Sequence, residues 1–533
     1  MSSERTKTLV VLSCALVLGA CPRAQDDPQQ QDRDAAVQDA EVDEPSQPSK
    51  PGHKPGSAAQ DAGPTPTPKP EPQPGSKPST EEPSPAPSKS PLTPGPGPST
   101  PQPGSKPGAM GGGAMTPSAA GGPFFLPTPE PRNTQFPRIA IDAKGGLHAA
   151  YPAYAGSGAF YAYCPNNCVD PKAMTVVELP TDAIPNSALL ALTKDGRPRV
   201  LIPTYLHVYY AQCDRECTDA GNWTTSMIVD HQSQQEVTGD ALALDSQGHP
   251  RFIMHTYVAY LGVGQKEPHT YYAQCDVDCN QPEKWRIDSI QDQMWQYSSL
   301  HIDAADRVHL GMIVIDPASS VKQVAYARCD GDCDAEASWT GILLAPAFEL
   351  STAEIKPSLS LALTSSGGAR VAALVMPEPG ARSLVYFECD AACDEDNWNY
   401  AVLSEAYELG SGVDLALDVH DRPRLSFTLN HNIGVYHCDD AHCTDQSAAW
   451  DLAKVEFVSD LTPDTIILWP NCVADAWYLH DPTLTLTADG SLRVGYMATD
   501  VSGGINNKPD PTMTPCLLGK DMTLARMASL PAL

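Results

Sequence analysis

Basic residues are scarce in this chain: 35 Lys and Arg stand against 65 Asp and Glu, a formal net charge of −30 over 533 residues. Nucleic acid and anionic membrane surfaces both require basic patches, so neither is expected as a partner. The acidic balance fits solubility outside the cell and decides little else. Membrane-length apolar runs are missing too. The stretch 9–18, led by Arg5 and Lys7, is too short to cross a bilayer and reads as the core of a secretory signal over 1–20. From Pro22 to about Arg132 apolar residues give way to Pro, Gly, Ser, Gln, Thr and Lys, and the run at 72–78 returns verbatim at 101–107. Such a segment cannot offset its chain entropy by burial, so 21–132 is expected to be a disordered linker. Extended as polyproline II it reaches on the order of 300 Å, and as a coil about 60 Å.

The signal ends in Leu18-Gly19-Ala20-Cys21, which resembles the bacterial lipobox. The resemblance implies cleavage before Cys21 and acylation of its thiol, and Pro22 in place of Asp implies sorting to the outer membrane, anchored in its lipid. The alternative is ordinary cleavage after Ala20 with Cys21 left as a free thiol.

What the chain has in abundance is repetition. Seven times an alternating aliphatic strand runs into Asp/Thr-x-x-Gly/Asp, with Arg or His six residues after the Asp/Thr. The seven leading residues and their partners are Asp142/His148, Thr193/Arg199, Asp245/Arg251, Asp303/His309, Thr364/Arg370, Asp418/Arg424 and Thr487/Arg493. Steps of 51 to 69 residues mark a repeat architecture. The positions one and three before the Asp/Thr are always Ile or Leu; the position between is Ala in five copies, His301 in the fourth and Thr485 in the seventh. Period two means strand. After the turn comes a second strand, then a third carrying Tyr and Cys, then Trp223, Trp285, Trp339, Trp398 or Trp450 opening a fourth; Met174 takes that place in the first unit. Four antiparallel strands in seven units predict an all-β fold, a seven-bladed β-propeller over 133–533. The seventh unit lacks the Cys and Trp, so the stretch 524–530 is expected as its outer strand.

With Cys14 removed and Cys21 acylated, fourteen cysteines remain. Six close pairs are expected as disulfides: Cys164–Cys168, Cys213–Cys217, Cys275–Cys279, Cys329–Cys333, Cys389–Cys393 and Cys438–Cys443. Cys472 and Cys516 are left to pair with each other. Zinc is the competing reading, with Cys438, His442, Cys443 and His437 the place to look, but one thiol pair per unit is half a site. No metal or other cofactor is expected. Asp330-Gly331-Asp332-Cys333-Asp334 gives calcium only weak support, lacking the distal Glu and the sixth-position Gly of a calcium loop.

The Trp that starts each fourth strand, after Cys213-Asp214 and its counterparts, resembles the sialidase-like, Asp-box propellers, with a bridge where that family has its Asp-box contacts. Phe136-Pro137-Arg138-Ile139-Ala140 is similar to the family's first Arg motif, with Ala140 replacing Pro. The resemblance implies three arginines on a carboxylate, a Tyr–Glu nucleophile and an acidic Asp. No Tyr–Glu partner can be placed, and the seven Arg/His residues begin second strands, opposite that family's active face. They are expected to be structural, bonding the turn's Asp or carbonyls.

Function is expected where the copies differ, in loops joining strands two and three and successive units. The candidate ligand-binding residues are Tyr257, Tyr260, Trp295, Tyr297, Trp469, Trp477, Tyr478 and Arg138, with no catalytic residue assigned. The expectation is a monomeric, surface-anchored lipoprotein of the outer membrane that binds a glycan or protein without catalysis. A sialidase-like glycoside hydrolase or lyase is the first alternative, a scaffold in an envelope protein complex the second.

Overall fold

The seven alternating phrases become seven first strands standing around one axis, each touching the next in a closed circuit. The computed structural model describes residues 122–533 apart from 130–131, 155, 167, 205–206, 231–234, 237–238, 257–269, 292–294, 316–321, 347–357, 376–381, 406–408, 462–466, 470–471, 474–476, 501–513 and 516–522. The chain forms a seven-bladed β-propeller of four-stranded antiparallel blades. Blade 1 is typical: Arg138–Ile141 innermost, then Leu147–Pro152, Ala159–Cys164 and Thr175–Leu179 outermost. Both faces of each blade are covered by neighbours, so second and third strands such as Ala369–Val375 and Ser383–Cys389 are buried along their whole length.

Every first turn needs left-handed backbone at its fourth residue, and Gly145, Gly196, Gly248, Gly367 and Gly490 supply it with φ of 81° to 87°. In blades 4 and 6 the residue is Asp306 or Asp421, at φ of 60° and 61°. Each Asp carboxylate accepts from both the backbone N–H and the hydroxyl of a serine in the first turn of the preceding blade: Ser246 for Asp306, Ser365 for Asp421, at 2.7–2.8 Å. The strain of a side chain there is met by a link to the preceding blade.

Blade 7 corrects two expectations. Thr523–Leu530 is its third strand, not its outer one; the outer strand is Phe124–Phe125, paired antiparallel with Met527 and Arg526. The folded unit therefore begins upstream of the boundary placed at 133. Leu126 N–H donates to Ala525 O, Thr134 exchanges bonds with Thr523 and Ala525, and Tyr151 donates to Pro127 O. The physical reason is edge pairing: the third strand of blade 7 would otherwise present open N–H and C=O groups.

Candidate functional site

Shared residues build the frame and are consumed by it. Six disulfides join the six expected close pairs at the ends of the third strands. Cys472 lies on the short strand Cys472–Val473, paired parallel with Thr514–Pro515, while Cys516 lies outside the described residues. Bridged sulfurs leave no thiolate for zinc at Cys438 and Cys443. Each of the five Trp rings donates its indole N–H to the carbonyl of the second cysteine of its pair, at 2.8–3.0 Å. Each also meets the third-strand Tyr of the preceding blade: Tyr161–Trp223, Tyr210–Trp285, Tyr272–Trp339, Tyr326–Trp398 and Tyr386–Trp450, ring centroids 4.7–5.9 Å apart. Such pairs contribute about 0.5–1.5 kcal/mol each beyond buried area.

The repeated Arg and His act the same way. Arg199, Arg251, Arg370 and Arg424 each donate to the carbonyl of the first cysteine (2.9–3.1 Å) and to the Asp that follows it (2.6–2.8 Å). The guanidinium thus ties the first turn of a blade to its disulfide turn. His148 and His309 instead bridge a Tyr hydroxyl (Tyr161, Tyr326; 2.7 Å) and the turn carboxylate (Asp142, Asp303; 3.3 Å). Asp245, His249 and Asp276 approach closely enough to share a cation, but Arg251 already bonds both carboxylates, at 2.8 and 2.7 Å.

Where the blade pattern fails, other chemistry fills in. Blade 7 has no Cys pair followed by a Trp at the head of its outer strand, and the seam between blades 6 and 7 is held by Glu456, Arg526 and Tyr496. Arg526 grips Glu456 through two bonds of 2.7 and 2.5 Å, and Tyr496 donates to the same carboxylate at 2.7 Å. All three are buried, and the Arg526 guanidinium lies 4.5 Å from the Phe125 ring centroid.

Around the axis the copies are unlike one another four positions before the Asp/Thr, where Arg138, Ser299, Ser360, Asp414 and Thr483 stand in blades 1, 4, 5, 6 and 7. Ser299 accepts from Leu361 N–H, Ser360 from Leu415 N–H, and Asp414 from Leu484 N–H (2.7–3.1 Å); Thr483 donates to Pro137 O at 2.8 Å. This belt stitches five blades and floors an axial cavity of about 650 Å³. Arg138, Asp414 and Thr483 line its inner end, His301 its wall, and Asp303, Arg307 and Ser365 the mouth between the first turns. His301 replaces the Ala found in five copies. At the other end of the axis lies Tyr297, half-buried, whose hydroxyl bonds Ser358. Burial pushes its phenol pKa up, with Asp481 and Asp414 adding to the shift and Arg138 and the Ser358 bond opposing it. Four unlike residues, Arg138, Tyr297, Asp414 and Asp481, therefore share one electrostatic neighbourhood.

Of the sequence-derived candidates, the structure brings Arg138 and Tyr297 together at the axis. Tyr478 is 43% exposed and stacks on His431, centroids 3.5 Å apart and planes 6° apart. Trp477 is no displayed platform: it is buried in blade 7, because the Phe125 ring covers it at 5.8 Å. Trp295 and Trp469 lie on the strands Trp295–Ile302 and Ile467–Trp469; Tyr257 and Tyr260 lie outside the described residues. Sequence reasoning missed Asp414 and Asp481. Aligning the seven copies beyond their common phrase would have exposed Asp414, the one carboxylate at its position.

No family model matches the chain, and no curated protein matches it in sequence. Among solved structures it is similar to a Dyadobacter fermentans protein of unknown function (10% identity, 77% of this chain and 98% of that one, TM-score 0.40). It is also similar to a polysaccharide lyase (8%, 74% and 89%, 0.41) and to an α-L-arabinanase of Penicillium chrysogenum complexed with arabinobiose (12%, 64% and 99%, 0.39). Likeness of this extent assigns neither substrate nor chemistry, and the identification rests on the chain's own strands: a seven-bladed β-propeller.

Proposed function

We propose that the propeller is the ligand-binding head of a lipoprotein, acylated at Cys21, held off the outer membrane by its Pro-rich linker, and directed at an extracellular glycan or protein. One observation carries this reading. The residues common to the blades are spent on each other, whereas unlike residues gather along the axis and at its end away from the first turns, where Tyr297 and Asp481 lie, with exposed Tyr478 on the same strand as Asp481. An exposed aromatic beside carboxylate and imidazole groups offers a stacking surface with directional polar partners.

A glycan array probed with the chain from Gly122 onward tests it. Tyr478→Ala should weaken the best hit about tenfold, or roughly 1.4 kcal/mol. Absence of any glycan hit together with no protein captured by crosslinking on intact cells would end the proposal. The anchor is tested separately, since Cys21→Ser should abolish fatty-acid incorporation.

The glycosidase reading draws support from the nearness of Arg138, Tyr297 and two aspartates. It is second because Arg307, the other arginine lining the cavity, is bound to Asp303, and because a phenol pushed up in pKa is a poorer nucleophile. Turnover of a fluorogenic sialoside would reverse the order.

A further inference from the structure

The inner strand of blade 7, Trp477–Leu486, breaks register between His480 and Thr483. At the break Asp481 adopts φ of 52°, although it precedes Pro482, which disfavours helical backbone before it. Blade 6 makes room: a Cβ on Gly412, itself at φ of 93°, would lie 2.4 Å from Asp481 Cα. The consequence of this contorted backbone is a side-chain relay. His480 Nδ1 lies 3.0 Å from Asp481 Oδ2, and His480 Nε2 lies 2.7 Å from Thr499 Oγ1. An ionised carboxylate only accepts, so Nδ1 carries the ring proton, and bare Nε2 accepts from the Thr499 hydroxyl. Carboxylate, imidazole and hydroxyl in that order are the parts of an activated nucleophile, which is recognised by geometry rather than by sequence position.

Among the described residues, two other histidines have a similar set of partners. His148 and His309 are sealed, with side chains 3% and 2% exposed, and they recur in equivalent positions of two blades. His480 is 24% exposed and Asp481 19%, their position has no counterpart in the other blades, and both lie beside exposed Tyr478 at the end of the axis away from the first turns. The buried pair serves cohesion; the accessible one faces solvent where a ligand can arrive.

We propose that Thr499, His480 and Asp481 form an acyl-transfer site that hydrolyses carboxylic esters, such as O-acyl groups on a saccharide. Thr499 Oγ attacks the acyl carbonyl carbon while its proton passes to His480 Nε2. The tetrahedral adduct collapses, the bond to the ester's alcohol oxygen breaks, and that oxygen takes the proton from Nε2. Water, deprotonated by His480, then attacks the acyl-threonine, releasing the carboxylic acid and restoring the hydroxyl. Asp481 is a positioning residue that holds the tautomer and steadies the imidazolium. Nothing in this step depends on which ligand the axis binds, so the two readings fail separately.

The test uses the full-length protein with p-nitrophenyl acetate and a fluorophosphonate probe. Wild type should hydrolyse the ester about 10²-fold faster than Thr499→Val, a near-isosteric change that keeps the strand, and Thr499→Ser should retain activity. Asp481→Asn should lower the rate and displace its pH profile, which a purely structural role would not do. Peptide mapping should place the probe adduct on Thr499. Equal rates for wild type and Thr499→Val, or an adduct elsewhere, would overturn the site; matched melting curves for the Val and Ser variants exclude misfolding as the cause.

Discussion

Neutralising Glu456 puts the seam between blades 6 and 7 to its hardest test. In Glu456→Gln the shape of the side chain is kept while Arg526 loses its counter-charge, and both positions are under a tenth exposed. Leaving one member of a buried ion pair uncompensated costs about 3–5 kcal/mol. With an unfolding entropy of roughly 2.1 cal/mol/K per residue, a unit of about 400 residues loses about 0.8 kcal/mol per degree, so Tm should fall by about 4–6 °C. Differential scanning calorimetry reads this directly. The double variant Glu456→Gln with Arg526→Met removes both charges and should recover at least half of the loss, since apolar replacement of a whole buried pair is often neutral. A drop under about 1 °C in the single variant, or strictly additive losses in the double, would refute the seam's dependence on this pair.

Other outcomes follow from the same frame. Replacing Cys329 and Cys333 together by Ser opens a five-residue loop, costs about 2 kcal/mol, and should redden Trp339 fluorescence as its bond to Cys333 O loosens. Phe125→Ala strips the cover from Trp477 and Arg526 and should cost about 2 kcal/mol, measured by urea melts; a chain begun at Asn133 should be less stable still. On the acid side, burial alone would raise the Asp303 pKa. Hydrogen bonds from Arg307, His309 and Ala305 outweigh it and bring the value to about 2. Its contribution is therefore complete above about pH 4 and lost as pH falls toward 2, so Asp303→Asn should flatten the acid limb of a Tm–pH curve. On the alkaline side the buried Tyr161, Tyr326 and Tyr496 have pKa values raised chiefly by burial, so stability should hold below about pH 10 and decline above it; an unchanged Tm to pH 12 would contradict this.

Local patterns carried most of the architecture. Blade number, the first turns, the disulfide partners within each turn and the Trp at the head of each outer strand are all set within some sixty residues, and period-two alternation marks them without reference to the rest of the chain. What escaped was set by residues far apart. Phe124–Phe125 sits in a Pro- and Gly-rich stretch with no blade signature, and only its partner Met527 makes it a strand. Trp477 looked like a ligand platform because nothing nearby in sequence covers it. Glu456 and Arg526 carry no motif, and Asp414 precedes a phrase whose regularity drew attention away from it. The axial site is likewise a place where the repeats disagree, and disagreement has no period.

A timetable is written into the closing strand. Thr134 and Ala525 are bonded across 391 positions, a closure whose chain entropy alone is about 5 kcal/mol. The first residues of the propeller to be made must wait for its closing strand before they find these hydrogen-bond partners, and until then blades 1 to 6 can stack only as an open arc.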